Sequence, residues 1–278
     1  KSIVPRPRQR ARKVPKPQLN VAFFPEGGNR IAGTSQRIAF EATNELGEGV
    51  NLMGSLGQQS IVANHLGRGV FSLNSNQDAS EKVVFNYKGK SYSFDLPVAQ
   101  PQGIAIHLNQ DQLQLQAVGL NAPALTIAIL CRGELRDYHD INLNTSKLPT
   151  GVNDLVVMTQ EGQVLADRLF FVDHHDLNKQ QITVEGLKKE YGPYEKISLK
   201  LQAPANIKTM SLAVRDNSYD TPTYDTGNIL TDLLLASDLK GFVANPDYYF
   251  EADDSTHRAR LDLLLMVQGW RRYDVKDI

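Results

Sequence analysis

Residues 173–176, Asp-His-His-Asp, are the densest group of side chains in this sequence that could bind a metal ion. Neighbouring side chains on a strand point to opposite faces, so His174 and His175 would not both reach one ion from a regular strand. A zinc site needs at least three protein ligands, and no further ligands follow at helical spacing. The pattern therefore favours a linker between domains over a metal site.

Residues 251–254, Glu-Ala-Asp-Asp, group carboxylates of the kind that bind Ca²⁺. A calcium loop alternates its oxygen ligands along the chain and carries a central glycine. This stretch has neither feature. Solvated charge is the interpretation that we favour.

The stretch FFPEGGN, residues 23–29, raises the question of a phosphate-binding loop. A loop of the Walker type has wider glycine spacing and a Gly-Lys-Ser/Thr end that leads into a helix. Here the chain continues as a strand instead. We therefore predict a structural turn, with Phe23 and Phe24 on opposite faces of the sheet. Glu26 and Asn29 are expected to close that turn through local hydrogen bonds.

Motifs for nucleophilic or metal-dependent catalysis are absent from the sequence, which has neither a Gly-x-Ser-x-Gly elbow nor a His-Glu-x-x-His helix. A single cysteine, Cys131, excludes an internal disulfide. It lies at an inward position of the apolar strand pattern LTIAILCRG, which favours a small buried hydrophobe. The sequence thus predicts no enzyme activity, no cofactor and no metal ion.

Aromatic side chains offer the best candidates for a contact surface. Trp270 stands beside two arginines in GWRRYD, which suits either a protein contact or the packing of a last helix onto its domain, and we favour packing. Tyr248, Tyr249 and Phe250 lie in an acidic stretch interrupted by Pro246, which we expect to be irregular. These three residues and Trp270 form the predicted contact patch.

The elements that would position these residues are mostly strands. Apolar residues alternate with polar ones over residues 37–42, 104–108, 113–117 and 125–129. In the first of these, Ile38, Phe40 and Ala42 are predicted to point inward, and Arg37, Ala39 and Glu41 outward. Turn-forming residues separate the strands at 44–49, 86–91, 132–134 and 159–163. Many short strands joined by hairpin turns are typical of β-sandwiches.

The last third of the chain changes character. Leucine-rich stretches predict helices over residues 228–241, ending at Gly241, and over residues 256–273, with Ser255 or Thr256 as the N-cap. Two prolines within residues 96–103 and the polar stretch 172–181 predict domain boundaries. Residues 190–216 repeat the plan of residues 23–50, which suggests tandem copies of one module.

Together these patterns predict a mostly β protein of tandem immunoglobulin-like sandwiches. The predicted divisions are a basic proline-rich linker at 1–20, sandwiches at 21–100 and 101–178, and a third sandwich with C-terminal helical segments at 179–278.

Composition excludes several classes of partner. Of the 278 residues 41% are hydrophobic, an ordinary value for globular domains, and no apolar run approaches the ~20 residues of a membrane helix. The first 20 residues carry seven cations and no acid, but they lack aromatic residues for base stacking, and the remaining chain is acidic. We therefore predict no nucleic-acid binding. Because the sequence starts with Lys, we expect it to be a piece of a longer protein.

Four stretches carry a family resemblance when they are taken in order. They are FFPEGGNRIAGTSQRIAFEATNELGEGV, LPTGVNDLVVMTQEGQVLADRLFFV, DLLLASDLKGFVANPDYYF and LDLLLMVQGWRRYD. Together they span nearly all of residues 21–274. In this order they resemble the macroglobulin-like domain proteins of Bacteroidetes cell envelopes, which often precede a carboxypeptidase-regulatory-like module or a TonB-dependent receptor plug.

That resemblance implies tandem macroglobulin-type sandwiches, a position in the periplasm or at the cell surface in association with the outer membrane, and no catalytic activity. Macroglobulin protease traps use a Cys-Gly-Glu-Gln thioester, and the context of Cys131, LCRGEL, departs from it. The expected partners are other domains of the same parent chain or an envelope complex.

The leading hypothesis for function is a non-enzymatic spacer or protein-interaction arm. A glycan- or peptide-binding accessory domain for nutrient uptake is the alternative, which an exposed aromatic platform would favour and buried aromatic residues would oppose. A hydrolase with a site built across domains is a third hypothesis.

Overall fold

The computed structural model describes residues 18–74, 82–109, 112–120, 125–139, 145–175, 182–205, 207–212 and 226–269. These residues are mostly β, with several antiparallel sheets, so the predicted fold class is confirmed at that level. Most of the predicted linker at 1–20 lies outside the described residues, as does Trp270.

The first group of strands forms two sheets that share one core. The strands are β1 (Asn20–Pro25), β2 (Ser35–Thr43), β3 (Leu52–Leu56), β4 (Gln59–Ala63), β5 (Arg68–Asn74), β6 (Lys82–Tyr87) and β7 (Lys90–Asp95). Their orders are β1-β2-β5 and β4-β3-β6-β7. Ile38 and Phe40 of the first sheet pack in one cluster with Val83 and Phe85 of the second. The rings of Phe40 and Phe85 lie 5.3 Å apart between centroids.

The second group repeats this arrangement. Its strands are β8 (Gly103–Asn109), β9 (Gln112–Val118), β10 (Leu125–Cys131), β11 (Glu134–His139), β12 (Gly151–Thr159) and β13 (Val164–Val172). They form a β8-β9 pair and a sheet of order β11-β10-β12-β13. One cluster joins Ile104 and Ile106 of the pair to Ile127, Leu155 and Phe170 of the sheet.

Two hairpin turns form where the sequence predicts them. The β6–β7 turn places Lys88 and Gly89 at φ 49° and 73°, and the β10–β11 turn places Arg132 and Gly133 at 54° and 76°. Left-handed angles at both central residues are those of the two-residue turn that matches strand twist. Glycine meets this need at the second position of each turn.

Residues 182–212 contain little regular structure within their described part. β14 (Thr183–Glu185) and β15 (Lys200–Gln202) pair as a two-stranded antiparallel sheet. No other strand occurs among the described residues from 182 to 269. The third sandwich at 179–278 therefore stays a prediction, as do the boundaries near 100 and 178.

The C-terminal part is helical, as predicted, but its boundaries differ. α1 (Ile229–Thr231) continues as a π-helical turn (Asp232–Ala236) that ends before Gly241. α2 (Ser255–Val267) is capped by Asp254, which accepts hydrogen bonds from two backbone N–H groups of the first turn. The predicted caps, Ser255 and Thr256, were wrong, because a carboxylate one residue earlier already satisfies those groups.

The aromatic stretch before α2 is more regular than expected. It forms a 3₁₀ helix, Pro246–Phe250, with proline at its first position. Proline is tolerated there because its missing N–H would have no intrahelical partner. Pro246 thus begins a short helix in a stretch that we predicted to be irregular.

The outward face of β2 is covered, which the alternation did not predict. Ala39 is 0% exposed and packs against Leu263, Met266 and Val267 of α2. Phe24 joins this cluster, whereas Phe23 packs in the core on the other side of the sheet, as expected. The prediction that Ala39 faces solvent was wrong because a helix distant in sequence lies on that face.

Cys131 is buried, as its strand position predicts. Burial raises the pKa of its thiol, and the neighbouring Arg132 only partly offsets this. The reactive thiolate is therefore scarce and shielded. We expect the native thiol to react with an aromatic disulfide reagent at pH 7.5 about 100-fold more slowly than in denaturant. Equal rates in both conditions would contradict its burial.

Candidate functional site

Four charged side chains from three separate parts of the chain, the β1–β2 hairpin, β13 and α2, meet where the two groups of strands adjoin. We call Glu26, Arg37, Arg168 and Asp262 the seam cluster; they come from the β1–β2 turn, β2, β13 and α2. The side chain of Glu26 is 0% exposed and that of Arg168 is 2% exposed. Charges this deeply buried are stable only when they are paired and hydrogen-bonded.

The seam cluster forms a closed ring of four ion pairs. Glu26 accepts hydrogen bonds from Arg168 Nε at 3.1 Å and from Arg37 Nε at 2.9 Å. Asp262 accepts from Arg37 Nη1 at 3.0 Å and from Arg168 Nη2 at 2.5 Å. Each arginine therefore bridges the same two carboxylates, and the two positive charges balance the two negative ones.

Two further contacts connect the seam cluster to a third strand, β8. Arg37 Nη2 donates to the carbonyl oxygen of Leu108 in β8 at 2.9 Å. The ring of His107 lies 3.6 Å from Glu26. Burial alone would lower the pKa of Arg37, but its hydrogen bonds and charge contacts with Glu26 and Asp262 outweigh that effect and raise it. The Arg37 guanidinium thus stays charged and paired with both carboxylates.

The turn that presents Glu26 is held by a residue that the sequence analysis overlooked. Gln36 donates through its amide nitrogen to the carbonyl oxygens of Glu26 at 3.3 Å and Asn29 at 2.9 Å, and its amide oxygen accepts from Ile31 N at 2.7 Å. The Glu26 carboxylate bonds across its own turn to Arg37, and it also reaches β13, where Arg168 supplies a second charged donor. The sequence analysis predicted the contact across the turn but not the contact with β13.

The predicted contact residues mark an internal interface. Tyr249 is 5% exposed and belongs to the cluster that packs the helices onto β12 and β13. Phe250 lies edge-on to Phe171 of β13, with ring centroids 5.7 Å apart. These two residues do not form an exposed platform. Whether they also contact an external partner stays a prediction.

Tyr248 is the central ring of a column that links the helical part to the first sheets. Its ring lies 4.8 Å from that of His65 on the β4–β5 turn and 4.6 Å from that of His257 in α2, with interplanar angles of 30° and 31°. Arg260 donates to the Tyr248 hydroxyl. Tyr248 is thus flanked by rings on two sides. We call His65, Tyr248 and His257 the ring column.

An open groove with a volume of about 320 Å³ lies beside the ring column. It is lined by polar and aromatic side chains from the β4–β5 turn and from the segment before α2, among them His65, Thr226, Asn245, Asp247, Tyr248 and Glu251. Thr226 donates its hydroxyl to Asp247. Two carboxylates and an amide make this groove suited to a ligand that donates hydrogen bonds.

The predicted metal-capable residues take part in separate contacts. A ring nitrogen of His174 lies 2.7 Å from the carbonyl oxygen of Leu148, and His175 lies near Asp173 and Asp253. Asp176 is outside the described residues. Within the part of the chain that the structure describes, no three His, Cys, Asp or Glu side chains are placed to hold a metal ion. No helix there is long and apolar enough to cross a bilayer.

One sequence signal could have revealed the seam cluster. Ala166, Arg168 and Phe170 alternate along β13 on the face that contributes to the second core. An arginine at an inward position of such a strand requires a buried carboxylate as a partner. The identity of that partner could not be read from the sequence, because Glu26 lies 142 residues earlier.

Comparison with known proteins adds no assignment. No protein-family model matches the sequence, and no curated protein matches it.

Proposed function

We propose that this protein is a non-enzymatic module of the cell envelope that acts as a rigid spacer or protein-interaction arm. The observation that carries this proposal is the seam cluster, a partly buried ring of charges that joins both groups of strands to α2. A spacer transmits position only if its parts keep a fixed orientation. Relative motion of domains is the default unless their interface is large and well packed.

Packing of α2 supports this rigidity. On one side Leu263, Met266 and Val267 cover Ala39 of the first group. On the other side Leu264 and Leu265 belong to a cluster with Val152 and Leu169 of the second. A single helix thus buries apolar surface against both groups of strands. A hinge between them would have to expose both patches and break the charge ring.

The architecture proposed for the module is a series of macroglobulin-type sandwiches. Two observations support it: each pair of sheets shares one hydrophobic cluster, and the first group has the three-plus-four strand division of a seven-stranded sandwich. The sequence resemblance to macroglobulin-like proteins of Bacteroidetes envelopes agrees with this arrangement. It also suggests a periplasmic or cell-surface position at the outer membrane, with domains of the same parent chain or an envelope complex as partners.

Distances between two spin labels, measured by double electron–electron resonance, test whether the two groups of strands keep a fixed orientation. Spin labels at Ser91→Cys and Gln163→Cys, in a Cys131→Ser background, would sit on exposed residues of the first and second groups. We expect one narrow distance distribution, and we expect it to broaden when Glu26→Gln opens the seam cluster. A broad or multi-peaked distribution in the parent protein would contradict the rigid-spacer proposal.

Peptide binding is the second candidate, and the groove is the observation that favours it. Asp247, Glu251 and Asn245 line the groove and suit a peptide with a basic side chain, whereas rings on two sides of Tyr248 leave little surface for stacking a sugar. Titration with peptide and glycan libraries tests this candidate. A dissociation constant that rises at least ~10-fold in the Asp247→Asn variant would favour a binding module over an inert spacer.

A further inference from the structure

His65 occupies an unusual position for a titratable group, since it belongs both to an interface and to an open groove. Its ring stacks on Tyr248 and lies edge-on to Tyr249, and its Nε2 atom is 3.3 Å from the Tyr249 hydroxyl. The same residue lines the groove of about 320 Å³. Water in the groove can therefore deliver a proton to a ring that holds two parts of the protein together.

The surroundings of His65 disfavour a positive charge within the ring column. Arg68 faces it from β5, and Arg260 and His257 face it from α2. Glu41 pairs with Arg68, and Asp254 pairs with His257. The hydroxyl of Tyr248 accepts from Arg260. On the groove side the charges are opposite, because Asp247 and Glu251 line it.

From this arrangement we propose that His65 is an acid-sensitive latch that opens the groove. When its ring takes up a proton, it leaves the ring column and turns toward the carboxylates of the groove. The contact between the β4–β5 turn and the 3₁₀ helix Pro246–Phe250 then loosens. The seam cluster stays closed, because its arginines remain charged and its carboxylates remain paired.

The sign and size of the effect follow from the pKa of His65. Burial, followed by the charges of Arg260, Arg68 and His257, lowers that pKa from 6.5 to about 4. The neutral, closed form is thus fully favoured above pH 6.5 and loses stability as the pH falls from 6.5 toward 4. A shift of this size would favour opening by about 20-fold at pH 5 relative to pH 7. Solvent screening of the partly exposed ring reduces our expectation to about three- to tenfold.

Hydrogen exchange at pH 7 and pH 5 tests the latch, with rates corrected for the intrinsic effect of pH. We expect protection of peptides that cover residues 244–251 to fall about three- to tenfold at pH 5. Peptides that cover residues 35–43 and 255–267 should keep their protection. Loss of protection throughout the molecule would overturn the proposal, because it would indicate global unfolding.

Matched variants separate the latch from other titrating groups. His65→Phe keeps an aromatic ring in the column but takes up no proton, and the Tyr249 hydroxyl retains its hydrogen bond with Arg68. This variant should show no change in corrected protection between pH 7 and pH 5, whereas His175→Asn, a control at an exposed histidine, should behave like the parent protein. An equal loss in His65→Phe, or a His65 titration midpoint near 6.5 by nuclear magnetic resonance, would overturn the proposal.

Discussion

Replacing Glu26 with glutamine is expected to lower the free energy of unfolding by about 3–5 kcal/mol. Glutamine keeps the shape of the side chain but removes the negative charge that balances Arg37 and Arg168. Arg168 is almost fully buried, so water cannot replace the lost partner. Urea denaturation at pH 7, followed by far-ultraviolet circular dichroism, measures the change as a shift of the midpoint.

Two further variants interpret this result. Asp95→Asn removes an ion pair with Lys82 on the surface of the first group and should cost less than ~1 kcal/mol. Adding Arg168→Met to Glu26→Gln should recover part of the lost stability, because the uncompensated buried charge is then gone. A loss below ~1 kcal/mol for Glu26→Gln alone would show that the seam cluster does not stabilise the fold.

Replacing Leu264 with alanine should lower the free energy of unfolding by about 2–5 kcal/mol. Leu264 is 0% exposed and belongs to the cluster in which α2 packs on Val152 of β12 and Leu169 of β13. The substitution removes buried methyl groups and leaves a cavity between helix and sheet. Denaturation in guanidinium chloride measures the loss, and the slope of the transition reports whether the variant still unfolds cooperatively.

Leu233 supplies the matched control for this substitution. It lies in the π-helical turn of the same C-terminal part, and it is 54% exposed. Leu233→Ala should therefore change stability by no more than ~0.5 kcal/mol. Equal losses in the two variants would show that burial of the leucine side chain does not determine the loss. The packing of α2 on the β11-β10-β12-β13 sheet would then not be its cause.

The strands were predictable because their alternation records which face is buried. Ile38, Phe40 and Ala42 point into the first core, as their spacing predicts. The same pattern fails at Ala39, because this small residue shares its face of the strand with Arg37 and Glu41 and was therefore predicted to face solvent. Its burial depends on α2, and alternation along one strand carries no information about a helix from the other end of the chain.

The seam cluster was less predictable for a similar reason. Glu26 stands among glycines and an asparagine, so local hydrogen bonding is the simplest interpretation of its position. Its partner Arg168 lies 142 residues later, and Asp262, which pairs with the same two arginines, lies 236 residues later. Sequence spacing reports contacts within an element or a turn. Pairing across such distances depends on how whole sheets meet.

Arg37 and Asp262 are 225 residues apart, which has a consequence for biosynthesis. A ribosome that adds about 5–20 residues per second needs roughly 10–45 s to make the intervening chain. During that interval Ala39 is not covered by α2, and Arg37 lacks its contact with Asp262. Resistance of nascent chains to a protease should therefore appear late, after residues 255–267 have left the ribosomal tunnel, and chaperones have their longest opportunity to bind before then.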